Sequence, residues 1–329
     1  MTAGRFGGTE ADDILVVQDL GRMELSRGPG RNRAVVNLRK LALLRLGGTG
    51  LRPIWQSEPL NTTTASSSDI AGTSWTAGDI NNDGRQELLL FTADTVKVLS
   101  FASDTATVQA FGTNGAWIEA AACCDADSDS VTDIAALEVS QLDSGLVARL
   151  LRLYRLTASG LVPVGPYSIG LDRGEARVAL LGSARLEDYP GVLPIVATIY
   201  STLKPSLYEV LYRPKPDSLV LSDNPFPWQE WFAKTRVLPA GELTLFDVGD
   251  TLVAYGYFVP GLGTVPVRGE SPLSFAALED GEWRLLPLAE HARRISGPVT
   301  RFTRDRVAGW LELRDNLFYF YPGEVFRWR

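Results

Sequence analysis

The chain has 329 residues, 45% hydrophobic and 22% charged, which is enough apolar material for a sizeable core in one large domain or two ordinary ones. Its formal charge of −7 excludes the basic stripe that a nucleic-acid footprint needs and makes it a poor ligand for anionic membranes. One histidine, His291, and two adjacent cysteines, Cys123 and Cys124, exclude zinc fingers, histidine-rich metal centres and disulfide scaffolds. No apolar run approaches the roughly 18–20 residues of a membrane-spanning helix, and the opening MTAGRFGGTE lacks the apolar stretch of a signal peptide.

In chain order, the first predicted strand is DILVVQD from Asp13. The next run, RAVVNLRKLALLRLG, has a helical alternative, but its likeness to the β-rich LVARLLRLYRLT further on argues for a strand. That likeness is part of an internal repeat: LLRLGGTGLRP (Leu43–Pro53) returns 110 residues later as LYRLTASGLVP (Leu153–Pro163), each a strand, a short turn and a second strand. Related units carry Phe101, Tyr212, Leu278 and Phe320 before their turns, so that with Leu46 and Leu156 six repeats are spaced by 55, 55, 56, 66 and 42 residues. Each follows another β-rich run: ELLLFTAD from Glu87, DIAALEVS from Asp133, LPIVATIYS from Leu193, TLVAYGYF from Thr251 and RVAGWLEL from Arg306. A further apolar segment precedes most of these, as in TSWTAGD, AWIEAAACCD, ARVALLGS and KTRVLPAG.

Four strands per repeat at this period predict an all-β chain, a six-bladed β-propeller of four-stranded antiparallel blades occupying 1–329 as a single domain. A seventh blade is the alternative if a segment precedes the chain. Either Arg5–Thr9 forms a stub of the first innermost strand or upstream residues supply it, while NLFYFYPG and EVFRWR are expected to complete the last blade. A short helix is predicted in NPFPWQEWFAK, capped by Asn224 with Pro225 in the first position. The polar patch NTTTASSSD (Asn61–Asp69) reads as a surface loop.

The motif that carries chemistry is GDINNDGRQELLLF. Asp79, Asn81, Asp83 and Glu87 fall at positions 1, 3, 5 and 9 of a compact loop, Gly84 allows the sharp turn at position 6, and the Arg85 carbonyl adds a donor at position 7. Alternating hard oxygen donors suit Ca²⁺, which accepts about 6–8 of them at roughly 2.3–2.6 Å. An EF-hand would need flanking helices and a glutamate at position 12, where this chain has Leu90 between predicted strands. The pattern recurs in CCDADSDSVTDIAAL with Asp125, Asp127, Asp129, the Val131 carbonyl and Asp133, and Ser130 in the glycine's place. The competing reading of either loop is a solvated acidic hairpin without metal.

These loops resemble the calcium loops of FG-GAP repeats, also described as VCBS-type or integrin-α-like propeller repeats, whose pattern is D-x-[DN]-x-D-G-x-x-[DE]-[LIV]. Asp79, Asn81, Asp83, Gly84, Glu87 and Leu88 match it, as do Asp125, Asp127, Asp129, Asp133 and Ile134 without the glycine; in the first repeat only Asp13-Ile14 remains of it, and Phe6-Gly7-Gly8 resembles the family's Phe-Gly element. The resemblance covers about a third of the chain and does not extend to the later repeats, which lack the acidic loop. It implies a propeller, an extracellular or cell-envelope setting, two Ca²⁺ sites in blades spanning approximately 70–115 and 116–168, and adhesion or binding of a protein or glycan partner at one rim without catalysis. The alternatives are a carboxylate-dependent lyase or hydrolase working in a central channel without histidine, and a purely structural envelope domain.

Other candidates are weighed singly. Trp228, Trp231 and Phe232 are the aromatic candidates for a partner surface, with cover for a blade edge as the competing reading. His291 has no nucleophile motif beside it. Cys123 and Cys124 read as buried or half-buried thiols, with a vicinal disulfide or a redox role as the alternatives, because neighbouring strand residues point to opposite faces and pair badly as a disulfide. Asn61-Thr62-Thr63 satisfies a glycosylation sequon, relevant only in a eukaryotic secretory host.

Overall fold

A computed structural model describes the chain except for residues 8–11, 26–33, 48–49, 63–71, 103–104, 114–115, 126–128, 142–146, 165–168, 171–175, 186–191, 201–204, 215–216, 222–236, 249–250, 261–272, 280–281 and 329. Among the described residues it is all-β, with one 3-10 turn at Glu290–Ala292 and no α-helix. The predicted helix around Asn224 and the aromatic candidates Trp228, Trp231 and Phe232 lie outside the described residues.

The strands pair in chain order, each with the next, into successive antiparallel meanders. The first holds β1 (Thr2–Gly4), β2 (Asp13–Leu25), β3 (Ala34–Gly47) and β4 (Gly50–Gln56), with β5 (Leu60–Asn61) added on β3. The second is β6 (Ser74–Gly78), β7 (Glu87–Phe91), β8 (Thr95–Ala102) and β9 (Thr105–Gly112). The third is β10 (Trp117–Cys124), β11 (Asp133–Gln141), β12 (Val147–Thr157) and β13 (Gly160–Pro163), with β14 (Ile169–Gly170) on β12. Next come β15 (Ala176–Arg185), β16 (Val192–Tyr200), β17 (Pro205–Pro214) and β18 (Asp217–Leu221), then β19 (Val237–Val248), β20 (Thr251–Pro260), β21 (Leu273–Glu279) and β22 (Glu282–Leu286). The last sheet has three strands, β23 (Val299–Arg304), β24 (Val307–Arg314) and β25 (Leu317–Pro322).

The run Ala34–Gly47 is strand, and the repeat's turn residues flank hairpins in register: Leu46 faces Leu51, Phe101 faces Ala106, Leu156 faces Leu161, Tyr212 faces Leu219 and Leu278 faces Trp283. The last repeat departs from expectation. Of EVFRWR, the described residues 324–328 do not continue the sheet beyond β25: Phe326 bridges to Leu288, Ala289 N–H donates to the Val325 carbonyl, and Arg327 N–H donates to the Pro287 carbonyl. Val325 and Phe326 are 0% and 3% exposed there, packed with Phe275, Ala289 and Trp310, so burying this apolar pair outweighs adding an edge strand. At the other end the stub strand is Thr2–Gly4, upstream of the segment expected to form it. Phe6 is fully buried instead, edge-on to Phe101 with ring centroids 5.9 Å apart.

The residues gather into two compact units, one of Met1–Cys123, Val131–Gly174 and Arg304–Arg306, the other of Cys124–Ser130, Glu175–Thr303 and Val307–Arg329. In the first unit, alternating apolar residues of neighbouring sheets interlock. Leu15, Leu41 and Leu43 pack against Leu88, Leu90, Leu99 and Phe101, and on the opposite face Leu89, Phe91, Val96 and Val98 meet Ile118, Ile134, Ala136 and Tyr154. The period-2 alternation along β7 thus serves two cores at once, which is why ELLLF is buried throughout. In the second unit, Phe275 and Trp310 stack edge-to-face at 5.2 Å in a core shared with Phe246, Tyr255 and Ile295.

Candidate metal centre

The first acidic loop joins β6 to β7, and its carboxylates fold it. Asp79 accepts the Asp83 and Gly84 N–H groups at 3.1 and 2.8 Å, Asn81 Oδ1 accepts Asp83 N–H at 2.9 Å, and Asp83 accepts Arg85 N–H at 2.8 Å. Asn82 and Gly84 take left-handed φ values of 58° and 83°, the turn that position 6 demands. Glu87, first residue of β7, accepts Ile80 N–H at 3.1 Å and the Asn81 amide at 3.3 Å. All four predicted side-chain donors are therefore joined by shared hydrogen bonds. The Arg85 side chain is exposed.

Glu87 is only 2% exposed, and among the described residues no basic side chain reaches it. Its carboxyl is pushed up to about 7, chiefly by burial and further by the Asp83 and Asp79 charges, with the Ile80 N–H working the other way. A cleft of about 280 Å³ opens over it, lined by Ile80, Asn81, Ser100, Gln109, Phe111 and Thr157 among others.

In the second loop, Ser130 N–H donates to Asp125 Oδ2 at 3.3 Å, and Ser130 takes the left-handed φ of 66° that Gly84 takes in the first. Asp125 Oδ1 is shut off from solvent with no hydrogen-bond partner among the described residues. Asp129 and Val131 are exposed, Asp127 lies outside the described residues, and Asp125 and Asp133 belong to different units. Asp133 itself is fully buried and accepts Arg155 Nε and Nη2 at 3.0 and 2.8 Å. The Thr132 hydroxyl donates to the Asp79 carbonyl at 2.6 Å, tying the end of the second loop to the start of the first.

Asp13, the first residue of β2, completes a series with Glu87 and Asp133. It is fully buried and held by Arg45 through Nε to Oδ1 at 2.7 Å and Nη2 to Oδ2 at 2.8 Å, with Gly7 N–H also donating at 3.1 Å. Arg45 and Arg155 were not singled out as site residues from the sequence, although the 110-residue repeat aligns them and each lies one residue before the marked turn position.

The donor set suits a hard cation: oxygens alone, around a buried acid without a basic neighbour. Among the described residues no three His, Cys, Asp or Glu side chains stand close enough to share an ion as they are placed, and in the first loop the carboxylates are turned to backbone N–H groups. Cys123 is not part of the set. Its thiol fills the space beside Gly78, and burial pushes it up to about 12, with a hydrogen bond to Thr76 partly opposing and the Glu87 charge adding, so it remains protonated. Both cysteines are free thiols. His291 is exposed in the 3-10 turn.

No family model matches the chain, and no curated protein matches it. Among solved structures it is similar to that of BBS1N in complex with ARL6DN, soaked with lead, at 14% identity over 75% of this chain and 80% of that one, with a TM-score of 0.29. At that score the likeness carries no argument about fold or function.

Proposed function

We propose that the chain is a calcium-stabilised binding or scaffold module of a secreted or cell-envelope protein, built as a β-propeller whose blades are the successive meanders. The propeller reading rests on in-order antiparallel sheets at a sequence period near that of a blade. Calcium rests on one observation above the others: Glu87, buried beside Asp79 and Asp83 and reached by no basic side chain among the described residues. Asp79, Asn81, Asp83, the Arg85 carbonyl and Glu87 would hold the ion. For a second site at Asp125, Asp127, Asp129, the Val131 carbonyl and Asp133, the support is the sequence pattern.

The ion's role is to neutralise a self-repelling loop and tie two strands together. At millimolar calcium, a site with Kd near 10⁻⁴ M contributes on the order of 1–1.5 kcal/mol, and at submicromolar calcium almost nothing. That difference favours an extracytoplasmic setting. A protein or glycan is the partner this class of module would take, by analogy of fold. Titration calorimetry tests the metal: the wild type takes up Ca²⁺ and not Mg²⁺, and Asp79→Ala abolishes one binding event. Equal heats for wild type and Asp79→Ala would overturn the assignment.

A further inference from the structure

The three sheets of the first unit share one device. The second strand of each begins with a buried acid, Asp13, Glu87 or Asp133, at 0%, 2% and 0% exposure. The register places the third-strand residues Arg45, Ser100 and Arg155 across from them, since Ile14 faces Leu44, Leu88 faces Leu99 and Ile134 faces Tyr154. In the first and third sheets a guanidinium reaches across to the acid at 2.7–3.0 Å. In the second, Ser100 is too short to do so, and the cleft lined by Glu87 and Ser100 opens at that place.

A buried carboxylate is costly without a counter-charge, and arginine is the side chain best shaped to supply one by two parallel hydrogen bonds. We propose that Arg45 and Arg155 do for the first and third sheets what a divalent cation does for the second, so that Ser100 is the residue that makes the second sheet cation-dependent. This deepens the calcium reading and rests on it for the second sheet. The arginine half stands without it. The acidic loop supplies the ligands, but the need for an ion comes from the third strand. The third sheet then carries the loop motif with its innermost acid already neutralised, and its dependence on calcium is the weaker of the two.

The test is a set of thermal melts in EDTA and in millimolar CaCl₂ on the whole chain. Ser100→Arg is expected to raise the metal-free midpoint by about 3 °C or more and to shrink the calcium-induced rise by a similar amount. Ser100→Met fills the same cleft without charge and is expected to do neither; an equal rise for Met would mean packing and overturn the proposal. Arg155→Ser is expected to lower the metal-free midpoint and enlarge the calcium response. Arg45→Ser is expected to lower it with no recovery in calcium, because the sequence before Asp13 lacks the spaced D-x-[DN]-x-D-G pattern of the other two loops. Ser100→Arg with an unchanged or lowered metal-free midpoint, in a chain that keeps its β circular dichroism, overturns the proposal. A wild type with no calcium response, alongside a Ser100→Arg midpoint that rises in EDTA, sinks the calcium reading and keeps the arginine one.

Discussion

Glu87 concentrates the electrostatics of the first loop. With its carboxyl raised to about 7 from an ordinary 4.5, the metal-free folded protein keeps a proton that the unfolded chain has released. This proton's contribution to stability is complete below the unfolded value and is lost as pH rises through 7. Calcium reverses the preference, because the ion must displace the proton. Affinity is therefore expected to fall about tenfold per pH unit below 7 and to level off above it, measured by calorimetry at about pH 6 and about pH 8. A flat profile would mean that Glu87 is not a ligand. Ser130 shows a smaller cost at the same scale, since a side chain in the left-handed region where the first loop has glycine carries roughly 1 kcal/mol of strain.

At the scale of elements, the first meanders are fastened to one another by more than the interlocking strand side chains. Phe6 follows the stub β1, belongs to no strand, and lies in the core between the first two sheets with Leu43, Leu88 and Phe101. Beside it, Gly7 lies so close to the Phe101 carbonyl that a Cβ would collide with it. Phe6→Ala is expected to cost about 3–5 kcal/mol in urea unfolding, with no recovery in calcium, because the loss is a cavity and not a charge. A loss below about 1 kcal/mol would mean that the ring is not a fastening. The Ser74 hydroxyl, donating to the Ile118 carbonyl at 2.6 Å, links the first strands of the second and third sheets in a similar way.

For the whole molecule, calcium dependence should be local. Among the described residues no guanidinium reaches the acid of the second sheet, whereas the core around Phe275 and Trp310 in the second unit is aromatic and aliphatic. Chelation is therefore expected to speed amide hydrogen exchange in β6–β9 and leave β19–β22 unchanged, read by mass spectrometry. Uniform acceleration across both units would contradict a local role for the ion.

The amino-acid sequence alone was sufficient for what depends on short-range pattern. Alternation and turn residues marked the strands, because side chains in a strand change face at every step; the spacing of Leu46, Phe101 and Leu156 marked the repeat; and Asp79 to Glu87 announced an oxygen-lined loop. Tertiary structure decided what depends on distance across strands and sheets. It turned the chain end toward Leu288, where Val325 and Phe326 find a core, and it set Phe6 against Phe101. It also brought Arg45 to Asp13 and Arg155 to Asp133, 32 and 22 residues apart in the chain, and left Glu87 facing a serine. Charge compensation acts through space over a few ångströms, and spacing along the chain does not report it until the register of the strands is known.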